Sequence, residues 1–230
     1  LVYEGDKFGY DYRIDVNKAN AWSTYTAEFY NMKAMLSGRI GYTGMNRRGY
    51  MRNGMAPNNS QGKSGTANFL DGGVKGSLNV DMGRGHAFSI GAGYELRAPM
   101  ANTAFISPEI SNDFVTNLKN ERIFSSEFSY LYRNAWLSAN VSGYYSRLEN
   151  VTEWQNFYND DENSFTYVSM TGLKKEYYGV EVGAKIKLTS WLDLKTLGAM
   201  SEAKNINNVN AVYMLSKSAE VYQDKTYVMN

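Results

Sequence analysis

Apolar residues recur at every second position over long stretches of this chain. From Phe8, the set Phe8, Tyr10, Tyr12, Ile14 and Val16 alternates with Gly9, Asp11, Arg13, Asp15 and Asn17. From Met32, the set Met32, Ala34, Leu36, Gly38, Ile40 and Tyr42 alternates with Lys33, Met35, Ser37, Arg39, Gly41 and Thr43. The same pattern runs through residues 70–82, 88–96, 137–145 and 178–188. A period of two belongs to a β-strand, and helical spacing fits none of these segments. Several runs reach about 14 residues, longer than the roughly 5–6 usual in globular sheets. Tight connections are expected at Tyr30-Asn31-Met32, Gly83-Arg84-Gly85, Arg133-Asn134-Ala135 and Thr189-Ser190-Trp191, and long ones at 47–66, 99–120, 155–165 and 204–224. Such alternation of short and long connections predicts an all-β, antiparallel up-and-down transmembrane β-barrel wall of about nine strands. In that reading Ile40, Val74, Leu78, Val80, Val182 and Ile186 face lipid. Asp71, Lys75, Asp81, Glu181 and Lys185 face water in the lumen. The chain enters a strand almost at once and a further strand begins at 227–230, so both edges are open and a partial barrel is expected.

Composition changes this picture in a few places. Mean hydropathy is −0.48, and no run of about 18 apolar residues offers a transmembrane helix. A membrane barrel escapes that test, because only alternate residues face lipid. Nineteen Tyr, 21 Gly and only 3 Pro suit strands with aromatic girdles. A net charge of +1 gives no general pull toward nucleic acid. With no Cys and one His, Ser-His and Cys-His catalysis and thiolate metal sites have little to work with. We therefore expect no enzyme, no cofactor and no metal. His86 reads as a solvated residue after the Gly83-Arg84-Gly85 turn. Asp160, Asp161 and Glu162 lack the spacing of a calcium loop and read as a solvated tip. Gly83-Arg84-Gly85 and Gly91-Ala92-Gly93 precede no predicted helix, so neither is a phosphate loop. One outer loop combines guanidinium and aromatic groups that suit an anion, a sugar or lipopolysaccharide phosphate, Arg47, Arg48, Tyr50 and Arg52, and another offers a ligand-stacking platform of Trp154, Phe157 and Tyr158. The ligand-binding candidates are Arg48, Tyr50, Arg52, Trp154 and Tyr158. The alternative readings are charged exposed loops and girdle or loop-packing aromatics.

Particular residues also carry a family resemblance. Tyr10-Asp11-Tyr12-Arg13-Ile14, followed by Lys18-Ala19-Asn20-Ala21-Trp22, resembles a barrel segment of TonB-dependent receptors of the Bacteroides type. So do Arg52-Asn53-Gly54-Met55-Ala56-Pro57-Asn58-Asn59-Ser60, Gly62-Lys63-Ser64, Asn68-Phe69-Leu70, Gly73-Val74-Lys75-Gly76, Arg97-Ala98-Pro99, Ser107-Pro108, Asn117-Leu118-Lys119, Phe157-Tyr158-Asn159-Asp160-Asp161 and Gly179-Val180-Glu181-Val182-Gly183. The series keeps its order over the chain. One departure is Ser107-Pro108-Glu109, where the family has a basic residue after the proline. The resemblance implies that 1–230 is one segment of a barrel of about 22 strands, with the plug and the TonB-contacting segment not present. It implies the bacterial outer membrane and energised import of a scarce nutrient: an iron chelate, cobalamin, a glycan or a peptide. The implied partners are outer-membrane lipid and lipopolysaccharide, TonB acting through the plug, a surface lipoprotein and the small imported ligand. The residues alone leave open a passive porin, a structural or adhesin-like barrel, and a soluble all-β carbohydrate-binding domain.

Overall fold

The computed structural model describes residues 3–5, 7–218 and 221–227. Its elements are β1 (Tyr12–Phe29), β2 (Met32–Gly49), β3 (Gly62–Lys63), β4 (Ala67–Gly83), β5 (His86–Arg97), β6 (Glu121–Arg133), β7 (Leu137–Asn159), β8 (Ser164–Lys187), β9 (Asp193–Asn205), β10 (Val209–Leu215) and β11 (Val221–Tyr227). The pairings are antiparallel, and the main path keeps chain order: β1-β2-β4-β5-β6-β7-β8-β10-β11. Strand β9 pairs with 175–187 of β8, and β10 pairs with 166–170 of the same strand. The two therefore lie end to end as one stave, interrupted at 206–208. The expected up-and-down sheet is present as an open one, with β1 and β11 at its edges among the described residues.

The four tight connections expected from the sequence lie at one end of the sheet, at 30–31, 84–85, 134–136 and 188–192. The turn at Gly85 requires glycine. Its φ is +82°, and a Cβ there would sit 1.7 Å from the Arg133 carbonyl oxygen. We call this the turn end and the opposite end the loop end.

Two expected loops are strands instead. Strands β7 and β8 stay paired up to Asn159↔Ser164, leaving only residues 160–163 as a connection. The acidic tip and the scattered aromatics obscured a ladder whose faces change over at irregularities between Leu148 and Glu153. Within 204–224 the chain forms β10 and enters β11. The strand expected from Phe8 begins at Tyr12. Of the strand expected at 227–230, residues 228–230 lie outside the described residues.

Cross-strand neighbours share a face of a sheet. Row after row, Ala34↔Leu78↔Ile90↔Phe128 and Val141↔Val182 build one apolar face. Of the six residues expected to face lipid, Ile40, Val74, Leu78 and Val182 are exposed, and Val80 and Ile186 are half-buried. No second sheet covers them among the described residues, so this is not a sandwich core. The opposite face carries Arg39, Asp71, Lys75, Glu127, Glu181 and Lys185. At the turn end of the apolar face, His86 joins an aromatic group: its Nδ1 lies 2.7 Å from the Tyr130 hydroxyl, and its ring is 4.7 Å from that of Tyr132. It is packed among aromatic rings rather than solvated as expected.

Candidate functional site: the loop-end mouth

The buried residues gather at the loop end, where the connection 98–120 folds back over the polar face. Met45, Phe69, Ala98, Ala104 and Phe105 form one cluster. Ile106, Ile110 and Val115 of the connection pack with Tyr167, Val212 and Met214 in another. A third cluster, with Leu173 at its centre, lies between β7, β8 and β10. Phe105 and Phe114 stack at 4.4 Å and close the connection on itself.

Arg47 is the clamp of this arrangement. The residue is only 1% exposed. Nε donates to the Pro108 carbonyl at 2.6 Å, and Nη1 donates to the Ser60 carbonyl at 2.8 Å and to Asn112 Oδ1. One side chain thus ties the 50–61 and 98–120 connections to β2. The Tyr12 ring lies 5.2 Å from its guanidinium carbon. Burial lowers the arginine's pKa, opposed by Tyr12. Gly49 admits the same loop: a Cβ there would stand 1.8 Å from the Ser60 carbonyl oxygen.

Across the mouth, Trp154 Nε1 donates to the Ile106 carbonyl at 2.9 Å, and its ring stacks on Tyr167 at 5.9 Å. The Tyr167 hydroxyl donates to Glu109 Oε2 at 3.4 Å. Its pKa is pushed up to about 12, first by burial and then by the Glu109 carboxylate. Burial and Glu109 also raise the pKa of Tyr12. Glu109, acidic where the family resemblance implies a basic residue, is therefore the far anchor of the connection.

Below the mouth the polar face carries a fixed ion lattice. Arg39 bridges Asp71 at 2.7 Å and Glu95 at 2.9 Å, Thr43 donates to Asp71 at 2.7 Å, and Arg97 holds the buried Glu121 at 2.6 Å. Arg39, Thr43, Asp71, Glu95 and Arg97 line a cavity of about 200 Å³ with Lys18 and Asn20.

The five candidate residues are dispersed. Tyr50 and Arg52 lie in the 50–61 connection, exposed, with Arg52 Nε donating to the Pro57 carbonyl at 2.8 Å. Arg48 lies on β2 rather than in a loop. It is opposite Arg13 and points to the face away from Arg47, because successive side chains of a strand alternate. Trp154 and Tyr158 also lie on a strand, β7. Trp154 is engaged in packing, whereas Tyr158 is 48% exposed. Tyr158 hydrogen-bonds Asn163 and meets the Phe165 ring edge-on at 5.3 Å. In register, Trp154, Tyr167, Tyr158 and Phe165 share one face of the β7–β8 hairpin. Sequence reasoning names Arg47 only as one of four loop residues, and does not single out Tyr167 or Phe165. Only the alternation through 154–167, masked by neighbouring acids and amides, signals that face.

This open sheet, apolar on one face and ionic on the other, with loops packed into one end, defines a wall segment of a large up-and-down β-barrel. No protein-family model and no curated protein matches the chain. Among solved structures it is similar to the copper transporter OprC, with a TM-score of 0.68 at 16% identity over 88% of this chain and 33% of that one. The chain thus spans about a third of that transporter's length.

Proposed function

We propose that this chain is part of the wall of a TonB-dependent outer-membrane receptor that imports a scarce nutrient. The observation that carries it is the bare apolar face, which continues across β1 to β9 with no covering element among the described residues. On β2 that face runs from Met32 to Tyr42, and a membrane-crossing strand needs about 9–11 residues. The other face is charged, as a water-filled or plugged lumen requires. In this reading the turn end is periplasmic and the loop end extracellular. The remaining strands, the plug and TonB contact belong to the rest of a barrel of about 22 strands, and the Bacteroides type rests on the sequence resemblance. The copper of OprC's name is not carried over; iron chelate, cobalamin, glycan and peptide stand as the candidate cargo classes. Cargo contacts fall to the exposed mouth residues Tyr50, Arg52 and Tyr158, joined by Phe165. Trp154 positions the 98–120 connection, and Arg48 faces the outer-leaflet side, where lipopolysaccharide phosphate is its fitting partner.

The test is growth of a deletion strain with each of the four nutrient classes limiting, with and without TonB. One class failing, and failing equally in the wild type without TonB, supports the reading. Growth unchanged on all four overturns transport and leaves a porin or structural barrel.

A further inference from the structure

A row of like charges crosses the polar face one step in from the turn end. Register places Arg133 opposite Ser138, Ser138 opposite Lys185, and Lys185 opposite Lys195. The next row outward pairs Lys187 with Asp193. Four cations thus stand against one acid on a chain of net charge +1. Asp193 bonds Lys185 at 2.9 Å. Among the described residues no ion pair joins Arg133, Lys187 or Lys195. All three are exposed, and Arg133, Ser138, Lys185, Lys187 and Asp193 line a concavity of about 300 Å³.

Like charges directly opposite in a sheet are destabilising. The sheet has kept a directly opposed lysine pair with a third cation in the same row. Neutral residues would fit that ladder equally well, as Ser138 shows in the same row.

We propose that this row is a docking surface for an acidic polypeptide segment. The cations are too far apart for a single small anion: strands lie about 4.8 Å apart, so Arg133 and Lys195, three strands apart, span about 15 Å. That spread matches successive carboxylates along an extended chain, whose same-side residues are about 7 Å apart. The concavity beside Trp136 takes one carboxylate, and Lys187 and Lys195 take the next. The inference rests on the register, the exposure of these cations and the concavity, and does not depend on the transport reading.

The test is zero-length carbodiimide cross-linking of the purified protein in detergent, read by mass spectrometry, alone and with a glutamate dodecapeptide. The expected result is a link from Lys187 to a glutamate of the peptide. That link, whose amine is untouched by the substitution, disappears in high salt and in Lys195→Glu. The variant is safe as a control, because it replaces a repulsive cross-strand pair by an attractive one and should keep normal heat-modifiable gel migration. Links to Asp193 alone, with peptide present, overturn the proposal. So does full competition by millimolar inorganic phosphate, which would make the row a small-anion site.

Discussion

The two ends of this sheet are built on different physics. At the turn end both faces are open: β9 is exposed from Asp193 to Lys204, and Leu197 and Met200 are about four-fifths bare. At the loop end the same strands enclose Arg47, Phe105 and Leu173, each at most 1% exposed. The loop end is stabilised as a water-soluble domain is, by burying side chains against loops. The turn end has only its backbone ladder and cross-strand pairs, and its apolar face can be buried only by something outside the described chain. In the proposed barrel wall, lipid supplies that burial along the whole face at once. In that reading one polypeptide changes solvent along its strands, and the change falls near Tyr42 on β2, above which every inward residue is buried.

The largest effect expected from breaking this contrast is Arg47→Ala. It leaves the Pro108 and Ser60 carbonyls and Asn112 without their donor, and each such loss costs about 1–3 kcal/mol. Docking of the two connections should weaken by about 3–9 kcal/mol, the sum of the three losses. Hydrogen exchange should rise across 50–61 and 98–120, while β4–β5 protection near the turn end stays unchanged. Next comes Leu78→Arg on the apolar face. In a bilayer it should cost about 2–4 kcal/mol, read by urea titration of gel mobility, and close to nothing in a detergent that lets the side chain reach water. Lys75→Arg, on the opposite face, should change neither.

A smaller effect comes from pH. The Tyr167 phenol has its pKa pushed up to about 12 in the fold, against about 10 for a free tyrosine. The fold favours the neutral form, so this contribution is complete below about pH 10 and is lost as pH rises through about 12. Its size is on the order of 2–3 kcal/mol. Trp154 emission, which reports the packed 98–120 connection, should shift over that window. In Tyr167→Phe the shift should vanish, with turn-end exchange unaffected in both.

The turn end was largely legible in the sequence, because an apolar/polar alternation and four tight turns are local signals. Ile40, Val74 and Leu78 fall on one face for the same reason that each is two or four residues from its like. The loop end was legible only in outline. The β7–β8 extension was taken for a loop because irregularities at Leu148–Glu153 shift the alternation, and because acids crowd its tip. The mouth depends on contacts between residues far apart in the chain, such as Arg47 with Pro108 and Tyr167 with Glu109. No periodicity encodes those. Arg47 and Arg48 look alike as neighbours in sequence, yet one is the buried clamp and the other faces away, a difference set by strand parity alone.

The most direct test of the account uses the chain's lack of cysteine. Single cysteines placed in turn from Val74 to Val80 of β4, spin-labelled in the protein reconstituted in lipid, report access to oxygen and to a water-soluble nickel chelate. The account predicts a strict period of two. Labels at Val74, Gly76, Leu78 and Val80 should favour oxygen, and those at Lys75, Ser77 and Asn79 should favour the chelate. Equal access to the chelate at both sets, or protection of both, would contradict a lipid-facing wall.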